Sequence, residues 1–158
     1  MKTYKSIDSP VGNLYIVTTN SHLVGLVPKR SWGNLKKRFG SVEEGSNDII
    51  IETQNQLDSY FKGLLKEFNL PILLEGTPFQ KKAWNALLDI PYGETICYMQ
   101  QAKNIKNPKA IRAIGGANGA NPISIIVPCH RVIGKSGKLT GYASGLEIKK
   151  YLLKLESQ

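Results

Sequence analysis

The chain changes character at the pair Thr77–Pro78, and this boundary restricts the fold more than any other feature of the sequence. Threonine is a favoured helix N-cap and proline suits the first helical position, so the pair predicts the start of a helix. Before it, apolar segments with turn formers at hairpin spacing predict strands, and after it helical patterns dominate. We therefore expect an α+β protein with an N-terminal unit over residues 1–74 and a C-terminal unit over residues 75–158.

The N-terminal unit is predicted to contain an antiparallel meander followed by helices. Its strands are expected in TYKSID, NLYIVTT and HLVGLVP, with the turn SPVG after the first. The polar segment from Ser31 to Asp48 is expected to hold a short helix around LKKRF and then a loop. ETQNQLDSYFKGLL has apolar residues at helical spacing, which predicts an amphipathic helix. Its buried stripe would comprise Leu57, Tyr60, Phe61 and Leu64.

The C-terminal unit is predicted to be helical. Its first helix should present Phe79, Ala83 and Leu87 on one face and end before IPYGE. Two short helices, CYMQQAKN and a second one beginning at Pro108, are joined by a tight turn, which suggests a helix-turn-helix. The last helix, GLEIKKYLLKLE, is expected to bury an apolar stripe and to expose its lysines. The buried set would be Ile148, Tyr151, Leu152 and Leu155, and the exposed set Lys149, Lys150 and Lys154.

Composition excludes several classes of protein. No apolar run is long enough for a membrane helix, and the start MKTYKSIDSP lacks the plan of a secretion signal, so we expect a cytoplasmic protein. Cys97 and Cys129 are too few for a disulfide framework, and a reducing compartment would keep both as thiols. The two histidines are far apart and the chain has no CxxC or HxxxH spacing, so we expect no structural metal.

Positive charge is concentrated in the second half of the chain. Residues 79–158 contain 12 Lys/Arg and 4 Asp/Glu, whereas residues 1–78 contain 9 and 8. One-sided charge of this kind is expected for a polyanion partner, nucleic acid first and an anionic membrane surface second. A merely soluble basic face is the alternative, and charge alone does not choose between them.

The second of the two short helices breaks a rule of helix composition. Ile111 and Ile114 can face a core, while Arg112, Gly115 and Gly116 fall on the opposite face with Lys109. Each interior glycine costs about 1 kcal/mol relative to alanine, so some compensation is expected. A face of one arginine and positions without side chains would let a large partner approach the backbone. Alternatively, the glycines mark an early end of the helix.

IIVPCHRVIG places a cysteine beside a histidine and an arginine in an otherwise apolar run. Cys129 is either an inert packed thiol or a nucleophile that His130 activates, and Pro128 favours the irregular backbone that such contact needs. A histidine base needs a group to orient its other nitrogen. Glu156, at the margin of the last helix's stripe, is the better candidate, and Glu147 the weaker. For Cys97 we expect an inert thiol.

These motifs closely resemble those of the O6-alkylguanine-DNA alkyltransferases. The resemblance includes NPISIIVPCHRV, PYGET, CYMQQ, NPKAIRAIGGANGANP and GKLTGYASGLEIKKYLL, and it covers essentially residues 77–156. It implies a ribonuclease-H-like N-terminal domain and an α-helical C-terminal domain with a helix-turn-helix. The implied reaction is direct-reversal repair, in which the alkyl group on O6 of guanine, or more weakly on O4 of thymine, passes irreversibly to the protein.

The resemblance also implies roles for residues. Cys129 would be the nucleophile and alkyl acceptor, with His130 as its base through a water and Glu156 orienting His130. Asn121 would hold the cysteine-bearing turn, and Tyr98 would donate a proton at N3 of guanine and rotate the nucleotide's phosphate outward. The residues implied to contact DNA through the minor groove are Arg112, as an inserted finger, with Tyr98, Ala110, Ala113 and Gly115. The implied substrate pocket includes Val132, Ala143 and Ser144.

The implied chemistry has physical requirements. In-line displacement at an alkyl carbon needs a sulfur held ionised in a recess, and the nucleotide must leave the base stack to reach it. The thioether product has no easy leaving route, so we expect a single turnover, no cofactor, and a monomer acting on double-stranded DNA without a membrane. Two rival functions remain: a protein that binds alkylated DNA without transfer, and a Cys-His hydrolase that turns over repeatedly.

Overall fold

The computed structural model describes residues 1–139, Tyr142 and residues 145–158. The chain divides into two compact units. Unit 1 comprises residues 1–73 and 122–124, and unit 2 comprises residues 74–121 and 125–158. The return of residues 122–124 to unit 1 is not predicted by the sequence.

Unit 1 is built on a four-stranded sheet in the order β3-β2-β1-β4. Its strands are β1 (Lys2–Ile7), β2 (Leu14–Thr18), β3 (Leu23–Pro28) and β4 (Val42–Glu44). The first three form the expected antiparallel meander. The segment before Asp48 was expected to be a loop, but it contains β4, which pairs in parallel with β1. That prediction was wrong. Every residue of β3 is buried, and its outer edge makes single bridges to Ile72 and Ile123.

The helices of unit 1 cover this sheet. They are α1 (Lys29–Leu35), a 3-10 turn over Lys36–Phe39 and α2 (Asp48–Phe61). The side chain of Asn47 caps α2 by accepting a hydrogen bond from the Ile50 amide at 2.9 Å. Leu57 and Tyr60 are buried, but α2 ends before Leu64, which is 78% exposed. The prediction that Leu64 belongs to the buried stripe was therefore wrong.

Unit 2 contains four helices among its described residues. They are α3 (Pro78–Leu88), α4 (Tyr98–Asn104), α5 (Ile111–Gly119) and α6 (Leu146–Glu156). Thr77 and Gln80 form a reciprocal capping box at the start of α3. The core between α3, α4 and α5 contains Ala83, Ala102, Ile114 and Ala117.

Buried polar contacts tie α5 to its neighbours. The indole Nε1 of Trp84 donates to the Ala117 carbonyl at 2.8 Å. Gln101 and Asn118 exchange two amide hydrogen bonds, at 2.9 and 2.8 Å, so their polar groups are satisfied inside the core. These bonds fix which side of α5 is buried. They therefore also fix which side is exposed, the side that carries Arg112 and Gly116.

Two details of α5 differ from prediction. The helix begins at Ile111 and not at Pro108, because residues 108–110 form a turn. Ile114 and Ala117 face the core and are buried, whereas Ile111 is 37% exposed. The prediction that Ile111 faces the core together with Ile114 was therefore wrong. The alternative that the glycines end the helix was wrong, since α5 continues past Gly116 to Gly119.

The buried stripe of α6 also differs from prediction. It consists of Lys149, Leu152 and Glu156, which recur at helical spacing, while Tyr151 is 39% exposed. The stripe therefore contains two charged residues: Glu156, which the sequence placed at its margin, and Lys149, which was expected to be exposed.

Candidate active site

Cys129 lies at the start of a 3-10 turn, Cys129–Arg131, that follows Pro128. The turn leads into β6 (Val132–Ile133), which pairs in parallel with β5 (Ile96–Cys97). Because β5 runs directly into α4, this pairing links the cysteine turn to Tyr98, the first residue of α4. The sequence signal for two such short strands is too weak to detect, and they were not predicted.

Asn121 holds the cysteine turn. Its side-chain Nδ2 donates to the Val127 carbonyl at 2.8 Å and to the Cys129 sulfur at 3.2 Å. Between these residues, Ile125 has a φ of 71°, a left-handed conformation that costs a β-branched residue about 1–3 kcal/mol. The backbone before the cysteine is therefore strained, and the Asn121 amide ties its two ends together.

His130 and Glu156 form a buried pair. His130 Nε2 lies 2.8 Å from Glu156 Oε2, and the two residues are 0% and 4% exposed. Arg131 donates to both carboxylate oxygens of Glu156, from Nε at 2.8 Å and from Nη2 at 3.0 Å. Its Nη1 donates to the Ile90 carbonyl at 2.7 Å. This bidentate contact favours an ionised Glu156, which in turn favours a proton on Nε2 of His130.

The other nitrogen of His130 is available for chemistry. Among the described residues, Nδ1 is buried and has no hydrogen-bond partner. Burial lowers the pKa of His130 from its ordinary value, although Glu156 opposes the shift. The imidazole is therefore neutral near neutral pH, with an unprotonated Nδ1 that can accept a proton.

The sulfur is not held ionised in the resting protein, contrary to expectation. Cys129 is 7% exposed, and burial raises the pKa of its thiol. The Asn121 hydrogen bond, Lys149 and Tyr142 lower the thiol pKa but do not outweigh burial. Any reaction of this sulfur as a thiolate therefore requires loss of the thiol proton.

Lys149 is the site residue that sequence reasoning missed. Its side chain is fully buried, and Nζ donates to the Val132 carbonyl at 2.6 Å. The expectation of a solvent-exposed lysine was wrong, because a carbonyl and the thiol of the cysteine turn compensate part of its burial. No sequence pattern indicates such compensation.

The candidate DNA-contact residues form a separate group on α5. Arg112 and Ala113 are exposed, and Ala110 and Gly115 are partly exposed. A Cβ built on Gly115 or Gly116 meets no atom within 4 Å, so no neighbour in the protein requires glycine there.

Of the three residues expected to line the substrate pocket, only Val132 is among the described residues. A cleft of about 320 Å³ is lined by Cys97, Tyr98, Met99, Ile111, Lys103 and Lys135, with Gln100. Cys129 is not among its described lining residues. Val132, which directly follows the cysteine turn, is fully buried. Ala143 and Ser144 lie outside the described residues.

The described residues contain neither a cluster suited to a metal ion nor a membrane-spanning helix. Histidine, cysteine and acidic side chains in this part of the chain form no group of three that could hold a metal ion. None of its helices combines the length and apolar character needed to span a bilayer.

Comparison with known proteins identifies two family matches that together cover nearly the whole chain. Residues 2–74 match the 6-O-methylguanine DNA methyltransferase ribonuclease-like domain, and residues 78–158 match the DNA binding domain of the same family. These matches confirm the expected fold class.

Relatives are similar over almost their full length. A methylated-DNA–protein-cysteine methyltransferase of Methanosarcina acetivorans is 66% identical, with 97% of each chain covered. The constitutive enzyme of that name from Bacillus subtilis is 42% identical, covering 99% of this chain and 96% of the relative. The Mycobacterium tuberculosis O6-methylguanine methyltransferase structure superposes with a TM-score of 0.88 at 46% identity, covering 99% of this chain and 93% of that one. A DNA complex of the M. tuberculosis protein also gives 0.88, at 45% identity and with 98% and 92% covered.

Proposed function

Because the chain belongs to the 6-O-methylguanine DNA methyltransferase family, we propose that Cys129 is the residue that accepts the alkyl group. The chain repairs DNA by direct reversal, through transfer of an alkyl group from DNA to a protein cysteine. The observation that carries the assignment is the hydrogen bond from Asn121 to the Cys129 sulfur, next to the buried His130–Glu156 pair. Cys97, by contrast, lies in β5.

His130 takes the thiol proton. Glu156 and Arg131 keep the proton of the neutral imidazole on Nε2, so Nδ1 accepts the new one, through a bridging water. The resulting imidazolium is stabilised by the Glu156 carboxylate. Removal of the proton during the reaction suits a thiol whose burial raises its resting pKa.

The sulfur then displaces guanine from the alkyl carbon. A carbon–sulfur bond forms as the carbon–O6 bond breaks, and the electron pair of that bond leaves with guanine, which takes a proton from Tyr98 at N3. The product is a thioether, and since a thioether is a poor leaving group the protein reacts once. O6-alkylguanine is the main substrate and O4-alkylthymine a weaker one, with Val132, Ala143 and Ser144 in the pocket.

The helices α4 and α5 act as a helix-turn-helix that places α5 in the minor groove. Arg112 enters the duplex and fills the gap left by the flipped nucleotide, while Ala110, Ala113 and Gly115 form a shallow face for close approach. The exposure of this face, and the open space above both glycines, support the assignment. The protein acts as a cytoplasmic monomer on alkylated double-stranded DNA, with a domain boundary near residues 74–75.

Intact-mass measurement tests the acceptor. After mixing with duplex DNA containing O6-methylguanine, the protein should gain one methyl group, which peptide mapping places on Cys129. The Cys97→Ser variant should gain the same methyl group and Cys129→Ser should gain none. A protein that binds the DNA and stays unmodified would support the binding-only alternative, and a methyl group on Cys97 would overturn the assignment.

A further inference from the structure

The buried ammonium of Lys149 is the feature of the site that the proposed reaction does not use. Its side chain is 0% exposed, although lysine is among the residue types that are rarely buried without a compensating partner. Its Nζ donates to the Val132 carbonyl at 2.6 Å and lies 5.8 Å from the centre of the Tyr142 ring. A carbonyl and an aromatic face are both suited to a cation.

The Val132 carbonyl connects this ammonium to the reacting residue. The Val132 amide donates to the Cys129 carbonyl and closes the 3-10 turn. A hydrogen bond to Val132 from α6 therefore holds the C-terminal end of the turn, while Asn121 holds the sulfur and the carbonyl before it. The turn is fastened on both sides by buried side chains.

Several other titratable and charged groups surround the turn. Glu156 is engaged by Arg131 at 2.8 Å and by His130 at 2.8 Å. The remaining groups are Tyr142, whose hydroxyl influences the thiol, and Tyr92, which faces Arg131 and Glu156. Among the influences on the pKa of Cys129, Lys149 is the cation that lowers it. Burial lowers the pKa of Lys149 itself, and the charge interaction with Cys129 opposes that shift.

We propose that Lys149 is a positioning residue for alkyl transfer: it holds the cysteine turn through the Val132 carbonyl and supplies a fixed positive charge that favours the Cys129 thiolate. Loss of the thiol proton to His130 then places a negative charge beside a cation that is already in position, so little reorganisation is needed. The role rests on the assignment of Cys129 as alkyl acceptor.

Two substitutions separate the charge from the hydrogen bond. Lys149→Met removes both, and Lys149→Gln removes the charge but keeps a donor for the Val132 carbonyl. Lys150→Met, on the exposed side of the same helix, is the matched control. Methyl transfer from O6-methylguanine DNA is followed from about neutral pH to alkaline pH.

The expected result is a displaced pH profile. Removing a nearby positive charge should slow transfer about ten-fold or more at neutral pH in both Lys149 variants, and the loss should shrink as the pH rises and the thiol ionises. Lys150→Met should follow the wild-type profile. Folded Lys149 variants with the wild-type profile, or with a loss that is equal at every pH, would overturn the charge role.

The coupling can also be measured without a Lys149 variant. The Lys149 ammonium is titrated by nitrogen NMR in the wild type and in Cys129→Ser, where no thiolate can form. Its pKa should be lower in Cys129→Ser, and equal values would overturn the proposal even if both Lys149 variants fail to fold. A wild-type chain that never gains a methyl group would instead disprove the acceptor assignment, and this titration would still decide the coupling.

Discussion

At the scale of single residues, burial keeps the sulfur of Cys129, the proposed alkyl acceptor, protonated in the resting protein. Burial raises the pKa of Cys129 and lowers that of His130, so both groups are neutral at rest. A neutral thiol is much less reactive toward stray electrophiles than a thiolate, which suits a protein that reacts once. In the proposed reaction, Asn121, Lys149 and the ionised Glu156 stand in place for the thiolate–imidazolium pair before it forms.

Replacing Asn121 tests how firmly the turn must be held. Asn121→Ala leaves the Val127 carbonyl without its donor and releases the sulfur, and a lost buried hydrogen bond costs about 1–3 kcal/mol. We expect this loss in the free energy of unfolding measured with urea, together with slower methyl transfer at every pH. Asn104→Ala, at the exposed end of α4, serves as control. An unchanged transfer rate in Asn121→Ala would disprove the positioning role.

The lowered pKa of His130 predicts acid sensitivity. On acidification, the unfolded chain takes up a proton at the ordinary histidine pKa of about 6.5, before the folded protein does. The free energy of unfolding should therefore be insensitive to His130 above about pH 6.5 and fall below it. Comparing urea unfolding of the wild type with that of His130→Gln isolates this contribution. Parallel pH curves for the two proteins would contradict the assignment.

At the scale of elements, hydrophobic periodicity succeeded where partners are apolar and failed where they are polar. It identified the buried face of α3 at Ala83 and Leu87, although it did not include Trp84, which is also buried. It placed Lys149 of α6 on the exposed side, because the partner that accommodates its buried ammonium comes from the distant cysteine turn. The strands β4, β5 and β6 were missed because they are three residues long or shorter and pair in parallel with distant segments.

A glycine-to-alanine substitution in α5 can distinguish a role in DNA contact from an effect on stability. Gly116→Ala fills open space in a helix interior, so it should raise the free energy of unfolding by about 0.4–1 kcal/mol. If DNA approaches this face, the same change should weaken binding and slow repair of duplex substrate. Gly33→Ala, in α1 with equally open surroundings, should stabilise without affecting repair. Full repair activity in a stabilised Gly116→Ala would argue against contact at this face.

Arg112 allows a test of the finger role. Arg112→Ala should slow repair of alkylated duplex much more than reaction with the free alkylated base, since the arginine acts on nucleotide flipping and not on the sulfur. Its exposure predicts little change in stability. Rates on both substrates give the comparison, and an equal loss on both would remove Arg112 from the flipping step.

At the scale of the whole molecule, the excess of lysine and arginine over acidic residues lies mainly in residues 79–158. Two of the twelve cations in residues 79–158, Arg131 and Lys149, are buried in the site and unavailable to DNA. The other ten still exceed the acidic residues of that half. Charge indicated a polyanion partner but not a reaction. The α+β class was predicted from the strand and helix patterns, whereas the reaction and the ribonuclease-H-like N-terminal domain were implied by the resemblance of the motifs.

DNA affinity should depend steeply on salt. Each phosphate neutralised by a lysine or arginine contributes about 0.9 to the slope of log affinity against log salt concentration. Titration of an unmodified duplex at several salt concentrations measures this slope. A flat response would contradict a basic DNA-binding surface, and Lys106→Ala combined with Lys109→Ala, at the turn between α4 and α5, should reduce it.

The hydrogen bond between Trp84 and the Ala117 carbonyl connects one of the chain's two tryptophans to the helix proposed to enter DNA. Substituting phenylalanine for Trp32, in α1, would leave that indole as the only strong fluorophore. A displacement of α5 as DNA docks would alter the environment of the indole and its emission. Association and repair could then be followed in real time by fluorescence, without attaching a dye.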